Sequence, residues 1–342
     1  MTEHFWLGTA VVFMAGVFNG CFALPMKYSR GWRWENTWGL FTLLSLVVVP
    51  LLLVSLFVPN VMQVYQGLPW RALLPPLILG FLWGTAQVTF GLGIQAVGVA
   101  LALAVVSGIT ALLGSLIPLL VLHPEDLFRP RGILLLVSIP ILLLGLWLYA
   151  EAGRKREGEQ PVPDSPTDEP RASFAKGLAL CIYTGVFGAA INLGFAFGGQ
   201  VASRSLELGA NPATSTYPVW LLVLWAGFIP NLIYCSYLLF RNRSWVLFTK
   251  TGKTKETPLV LAMAVLWGSG VFGYGIGATM TGKYGTSIGF AFWIAISIAA
   301  ATAVGVLTGE WKGTSPSTRR VLALAMALVL TSVIILNLGG LF

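Results

Sequence analysis

Charge is what this sequence has least of: 21 Lys and Arg with 13 Asp and Glu supply only 10% of 342 residues, while 56% are hydrophobic and the mean hydropathy is +0.80. Soluble domains carry about 25% charged residues, so a water-facing globular fold is excluded. Strict alternation of apolar and polar residues, the mark of a membrane barrel, is also missing. Histidine and cysteine are nearly absent. His4 and His123 fall in loops without a metal-ligand cluster. Cys21, Cys181 and Cys235 are odd in number, lie inside apolar runs and lack ligand spacing, which makes them buried fillers. No Ser, His, Asp set or helix-borne carboxylate pair is present. Gly252, Lys253 and Thr254 imitate the end of a phosphate loop, but Leu247 stands where its first glycine is required. These absences argue against an enzyme and predict no catalytic residue, no metal and no cofactor.

What remains is long and apolar. Cutting the chain where charges or Pro and Gly clusters interrupt the runs gives ten expected spans: Phe5–Met26, Asn36–Val58, Ala72–Val97, Val99–Leu122, Gly132–Ala150, Gly177–Ser203, Thr214–Phe240, Thr257–Gly282, Tyr284–Gly309 and Val321–Leu341. A hydrocarbon core of ~30 Å holds about 20 helical residues. The stretches 72–122 and 257–309 must therefore each cross twice, with hairpin tips at Gly98 and at Gly282 with Lys283. Met1 to His4 lacks a basic n-region, so Phe5–Met26 is expected to be a first span rather than a removable signal.

A net charge of +8 and a pI near 9.6 raise the question of nucleic acid. Every basic residue lies between spans, however, so the excess reads as a topology signal and no nucleic-acid partner is expected. The connections after spans 1, 3, 5, 7 and 9 hold 16 of the 21 Lys and Arg, which places them in the cytoplasm and both termini outside. Within the third of these connections, Arg154, Lys155 and Arg156 precede a run rich in proline and acid through Pro161, Asp164, Asp168 and Pro170. This segment is expected to be a disordered cytoplasmic linker, 151–173, between a five-helix unit at 1–150 and a second at 174–342.

The two units share a pattern. Leu82, Trp83, Gly84, Thr85 recur as Leu266, Trp267, Gly268, Ser269, and Phe90, Gly91, Leu92, Gly93 recur as Tyr274, Gly275, Ile276, Gly277, both at an offset of 184. Gly16, Val17, Phe18 match Gly185, Val186, Phe187. Corresponding spans are five apart, an odd number, so the copies run in opposite directions. The expected fold class is an all-α integral membrane protein of ten transmembrane helices in two inverted five-helix repeats, the architecture of carriers that alternate access around a midplane site. Glycines four apart (Gly16 and Gly20, Gly80 and Gly84, Gly194 and Gly198, Gly273 and Gly277, Gly305 and Gly309) suggest where the halves meet.

With no charge in any span, the polar inventory at depth is Asn19, Gln87, Asn192, Asn231 and several hydroxyls. Amides are costly in lipid and should face inward. Trp83, Gln87 and Phe90 share one face of span 3, and the offset puts Trp267 and Tyr274 on the equivalent face of span 8. An aromatic wall with amides suits a neutral sugar, whose C–H faces stack on rings while its hydroxyls exchange water for side chains. The expected substrate-binding set is Asn19, Trp83, Gln87, Phe90, Asn192, Trp267 and Tyr274. Trp32, Trp34 and Trp38 read as an interfacial belt.

Trp32, Arg33, Trp34 and Glu35 entering span 2, Trp83 and Gly84 with Gly91, Leu92 and Gly98, then Gly108, Ile109, Thr110, Gly114 and Pro118, and finally Gly309, Glu310 and Trp311 together resemble the L-rhamnose:proton symporter family of the drug/metabolite transporter superfamily. Phe90 and Gln95 depart from the Tyr and Arg of that pattern. The resemblance implies a bacterial inner-membrane carrier importing a deoxy-sugar with protons by alternating access; its partners would be the sugar, the proton and the bilayer. A coupling acid is needed, and Glu35 is the candidate, with Glu310 as the other carboxylate near a span end; a purely electrostatic cap at the start of span 2 is the alternative role for Glu35. Two other functional readings stay open: an exporter or facilitator of another small metabolite, and a membrane enzyme or sensory scaffold.

Overall fold

The computed structural model describes residues 2–97, 99–159, 174–250 and 253–338. The expected hairpin tip at Gly98 and the 160–173 part of the expected linker lie outside the described residues. Among the described residues there is no strand, and ten helical stretches are long and apolar enough to cross a membrane. They are Phe5–Tyr28 (span 1), Trp34–Phe57 (2), Trp70–Gly93 (3), Val105–Leu122 (4), Gly132–Arg156 (5), Ala175–Glu207 (6), Tyr217–Arg241 (7), Lys255–Met280 (8), Ile288–Leu307 (9) and Pro316–Ile335 (10). Each overlaps one expected span. The second hairpin tip is a 3-10 turn over Gly282–Tyr284, where Gly282 takes the left-handed φ of +76° that suits glycine.

Three helices depart from the simple picture. The helix of span 5 runs Pro130–Glu159, so residues 151–159, read from sequence as linker, are helical. Charge marks where the bilayer ends, whereas Glu, Ala, Arg and Lys are good helix formers and carry the helix on into water. Span 2 changes from α-helix over Trp34–Leu43 to a π-helix over Leu44–Val48 and back to α-helix over Val49–Phe57, with Pro50 at the start of that last piece. Proline lacks the N–H that would continue the ladder, and a widened turn absorbs the mismatch. Span 6 is broken into Phe174–Gly188, Ala190–Ala196 and Gly199–Glu207.

Spans associate where small residues let backbones approach. Span 1 packs on spans 8 and 9, span 3 on spans 6 and 7, span 4 on spans 5, 6 and 9, span 2 on span 7, and span 5 on span 10. A side chain at Gly16 or Gly20 would strike Ile296 or the Ser297 carbonyl of span 9; one at Gly80 or Gly84 would strike the backbone of Val223 or Gly227 in span 7; one at Gly277 would meet Gly8 and Val12 of span 1. These three seams join the first half to the second. Gly194 meets Val223 of the second half and also Leu79 and Pro76 of span 3, Gly198 meets Val219 within the second half, and Gly305 and Gly309 face Glu310 and Lys312 just beyond their own helix.

Candidate functional site

A cavity of about 280 Å³ lies among spans 1 to 4 and 6 to 9; spans 5 and 10 supply none of its wall. At its middle Trp83 and Trp267 stack with centroids 6.0 Å apart and planes 19° from parallel. Phe41 of span 2 meets Trp267 edge-on at 6.1 Å. Trp38, Phe22, Phe90, Phe290 and Trp293 extend the aromatic lining. No Asp, Glu, Lys, Arg or His belongs to the wall among the described residues. A larger groove of about 680 Å³, lined by apolar residues including Val47, Phe81 and Ile229, opens between spans 2, 3 and 7; its Trp225 N–H is already spent on the Val47 carbonyl at 3.3 Å. That groove offers no group to orient a polar solute.

The polar groups of the cavity divide into engaged and available. Asn19 donates to the Ser297 hydroxyl at 3.0 Å, Thr110 to the Gly185 carbonyl at 3.0 Å, and the Thr184 and Thr89 hydroxyls bond each other at 2.8 Å. Asn231 is wholly buried between Trp38, Gly227 and Gly84. The Gln87 amide, the Ser107 hydroxyl and the indole N–H groups of Trp83 and Trp267 make no hydrogen bond within the described residues, although each residue lines the cavity. Such groups are expected to be matched by a ligand or water.

Of the seven residues expected to bind substrate, five line this cavity: Asn19, Trp83, Gln87, Phe90 and Trp267. Asn192 and Tyr274 do not. The break in span 6 after Gly188 turns Asn192 behind the wall, where its amide donates to the Gly114 and Thr286 carbonyls at 2.7 Å each and its oxygen accepts the Tyr274 hydroxyl at 2.6 Å. Tyr274 in turn stacks beneath Trp293, 5.2 Å away. Trp38, read from sequence as part of an interfacial belt, lines the cavity instead; Trp32 is buried against Phe248. The lining residues not assigned in advance include Ser107, Thr110 and Thr184, whose small hydroxyls barely mark an apolar run, and Asn231, noted only as a buried amide.

At the end of the bundle that carries the basic connections, two buried carboxylates tie the halves together. Glu35 of span 2 accepts from Ser244 Oγ at 2.6 Å and Asn242 Nδ2 at 2.9 Å, in the connection after span 7. Glu256, at the start of span 8, accepts from the Ser29 hydroxyl and from the backbone N–H of Arg30 and Gly31 at 3.1 and 2.7 Å, in the connection after span 1. Neither lines the cavity, though Glu35 lies one helical turn from Trp38. Glu310 pairs with Lys27 and Arg156 at the same end. His123 is not isolated as the sequence suggested: ligand atoms of His123, Glu125 and Asp126 lie within 4.8 Å of one another in the connection after span 4, with Asp126 held by Arg129 at 3.1 Å. None of the three lines the cavity.

The family model described as L-rhamnose-proton symport protein matches residues 1–341. Relatives named L-rhamnose-proton symporter include one from Pectobacterium atrosepticum, 25% identical over 99% of both chains, one from Shigella dysenteriae serotype 1, 22% identical over 93% of both, and one from Yersinia pestis, 24% identical over 93% of both.

Proposed function

We propose, from the premise that the chain belongs to the L-rhamnose-proton symport protein family, that it is a proton symporter importing a small uncharged sugar of the L-rhamnose class across a bacterial inner membrane. The family is one of carriers and not of enzymes. The observation that carries the substrate class is the wall itself: stacked indoles beside an unengaged amide and hydroxyl, with no charge. Stacked aromatics meet the C–H faces of a pyranose, Gln87 and Ser107 exchange hydrogen bonds with its hydroxyls, and an ionised solute would find no counter-charge.

Alternating access follows from an inverted repeat, and the cavity supports that reading. The offset of 184 that pairs Trp83 with Trp267 also pairs Val106 with Phe290 and Thr110 with Ile294; the offset of 169 that pairs Gly16 with Gly185 also pairs Asn19 with Gly188 and Phe22 with Ile191. These five pairs supply ten of the 21 lining residues among the described residues with only two shifts. The packing obeys the same exchange, since spans 1 and 8 answer to 6 and 3, spans 1 and 9 to 6 and 4, and spans 5 and 10 to each other. The symmetry is incomplete: Ala86, Ser107 and Thr184 line the cavity while Gly270, Ala291 and Ala15, at the same shifts, do not. Gln87 and Phe90 line the cavity but their counterparts Val271 and Tyr274 are sealed behind it. Because the copies are antiparallel, one end is open and the other shut. With the basic connections in the cytoplasm and both termini outside, this is the inward-facing state.

Protons need a titrating group, and none lines the cavity among the described residues. Glu35 carries the coupling in this reading, because it is buried, joins spans 2 and 7 across the halves and stands one turn from the cavity. Purified protein in liposomes, offered labelled monosaccharides under an imposed pH gradient, accumulates the preferred sugar; no specific movement of any sugar refutes the proposal. Glu35→Gln keeps an oxygen for both donors but cannot titrate. It retains sugar counterflow and loses gradient-driven accumulation, and full accumulation by this variant removes Glu35 from the coupling step.

A further inference from the structure

We infer that Asn231 is a positioning residue that sets the angle of Trp38, so that Trp38 meets the solute with one ring face and never with its N–H; this rests on the cavity being the sugar site. Trp38 Nε1 donates to Asn231 Oδ1 at 3.1 Å across spans 2 and 7. The orientation of the amide is decided by its other end. Asn231 Nδ2 donates to the Gly227 carbonyl at 3.0 Å and faces the Gly84 carbonyl of span 3 at 3.5 Å. A flipped amide would set its oxygen against two carbonyl oxygens and its NH2 against an indole N–H, losing every bond at a wholly buried site.

The ring is constrained elsewhere as well. Trp34 stacks on it at 5.5 Å with planes 14° apart, and Phe41 leans against it at 5.1 Å. With Trp34 stacked on one face, Phe41 packed against the ring at a 50° tilt and the N–H tethered, the ring surface left uncovered is what Trp38 can present to the cavity. An indole deprived of its acceptor turns to find another, because a buried unpaired donor is costly. That rotation carries the ring face out of register with a bound pyranose. Asn231 lines the cavity too, but both ends of its amide are already engaged by protein.

The test separates action through Trp38 from general support. Asn231→Leu raises the KM for sugar about tenfold while the maximal rate stays within about twofold. Trp38→Phe, which keeps an aromatic face but has no N–H to tether, raises KM to a similar degree, and the double variant is no worse than the poorer single one. Additive losses, or a lower maximal rate with unchanged KM, overturn the inference. A second readout needs no sugar: in protein carrying 5-fluorotryptophan, the fluorine resonance that Trp38→Phe deletes shifts in Asn231→Leu. An unmoved resonance overturns the positioning role even if no sugar in the panel is transported, a result that by itself would instead refute the sugar site.

Discussion

A single methyl group at Gly84 should separate spans 3 and 7 and thereby spoil the cavity they share. A Cβ at Gly84 would lie 2.8 Å from both Cα and the carbonyl carbon of Gly227, and closer still to the carbonyl oxygen, where ordinary contact begins at 3.4 Å. The obstructing atoms are backbone, so no side chain can swing away, and the helices must part by about 0.6 Å or more. Span 3 carries Trp83, Gln87 and Phe90 one turn or less to two turns away, and span 7 carries Asn231, so the displacement falls directly on the site. A misplacement of 1 Å can cost about 100-fold in rate, and roughly half of that distance implies a loss on the order of tenfold. Gly91, two turns along the same helix, is the internal control, because a Cβ there meets nothing within 4 Å. Gly→Ala gains about 1 kcal/mol of helix propensity at either place, so the difference between the two variants isolates the clash. Uptake in proteoliposomes at matched protein content, with the thermal midpoint in detergent, is the assay. Equal uptake and equal midpoints for Gly84→Ala and Gly91→Ala would refute the close approach of spans 3 and 7.

Gln87→Leu removes the unengaged amide and leaves a sugar hydroxyl unmatched, costing about 1–3 kcal/mol, or roughly 5- to 150-fold in KM, with little change in thermal midpoint; equilibrium binding separates this from slower turnover. Glu159 gives a pH prediction outside the membrane. Hydrogen bonds from the Ser315 hydroxyl and backbone N–H and from the Thr318 hydroxyl hold its carboxyl below the ordinary value of 4.5, capping the start of span 10 from the end of span 5. A lowered folded-state pKa gives stability that is present above the unfolded value and lost as pH falls through the folded one. The midpoint difference between the native protein and Glu159→Gln should therefore be largest above pH 5 or so and shrink as the buffer is taken below about 4; a difference independent of pH rejects the cap.

How much of this was legible beforehand depended on the kind of signal. Span number came through because the bilayer imposes length and excludes charge, and both are written in composition. The pairing of Trp83 with Trp267 came through because one offset served two blocks. The same offset, carried into spans 4 and 9, relates Val106 to Phe290 and Thr110 to Ile294, but it also relates Ser107 to Ala291 and Ile109 to Trp293, of which only one member each lines the cavity. Trp38 was misread because hydropathy reports depth in the bilayer but not the direction in which a ring points; only Asn231 and Phe41 reveal that it faces inward. Asn192 was expected on the wall because an amide at depth should face inward, and Tyr274 because the offset of 184 equates it with Phe90; the break after Gly188 turned Asn192 into the support behind the wall, where Tyr274 bonds to it. The hydrogen bonds of Glu35, Glu256 and Glu159 join residues more than 150 positions apart. No local pattern encodes such partners.

Under the proposed inverted-repeat mechanism, antiparallel copies that exchange conformations also exchange walls, which makes the sealed residues a prediction about the opposite state. Gln87 and Phe90 line the cavity, and Val271 and Tyr274, their counterparts at the offset of 184, are each 1% exposed. Opening the other end requires Tyr274 to leave Asn192, and the Asn192 amide to part from Gly114 of the first half while Thr286 stays with the second. Each such bond is worth about 1 kcal/mol net, so removing one should raise the population of the outward-facing state about fivefold. In protein with Cys21, Cys181 and Cys235 replaced by alanine, a membrane-impermeant maleimide should label Val271→Cys from the outer side only, and Tyr274→Phe should speed that labelling about fivefold. Phe90→Cys should be labelled from the cytoplasmic side, more slowly once Tyr274→Phe is added, because the two states draw on one population. Labelling of the thiol at position 271 from the cytoplasmic side, or indifference of both rates to Tyr274→Phe, would mean that the Asn192 contacts are permanent scaffolding and that the two halves do not trade places.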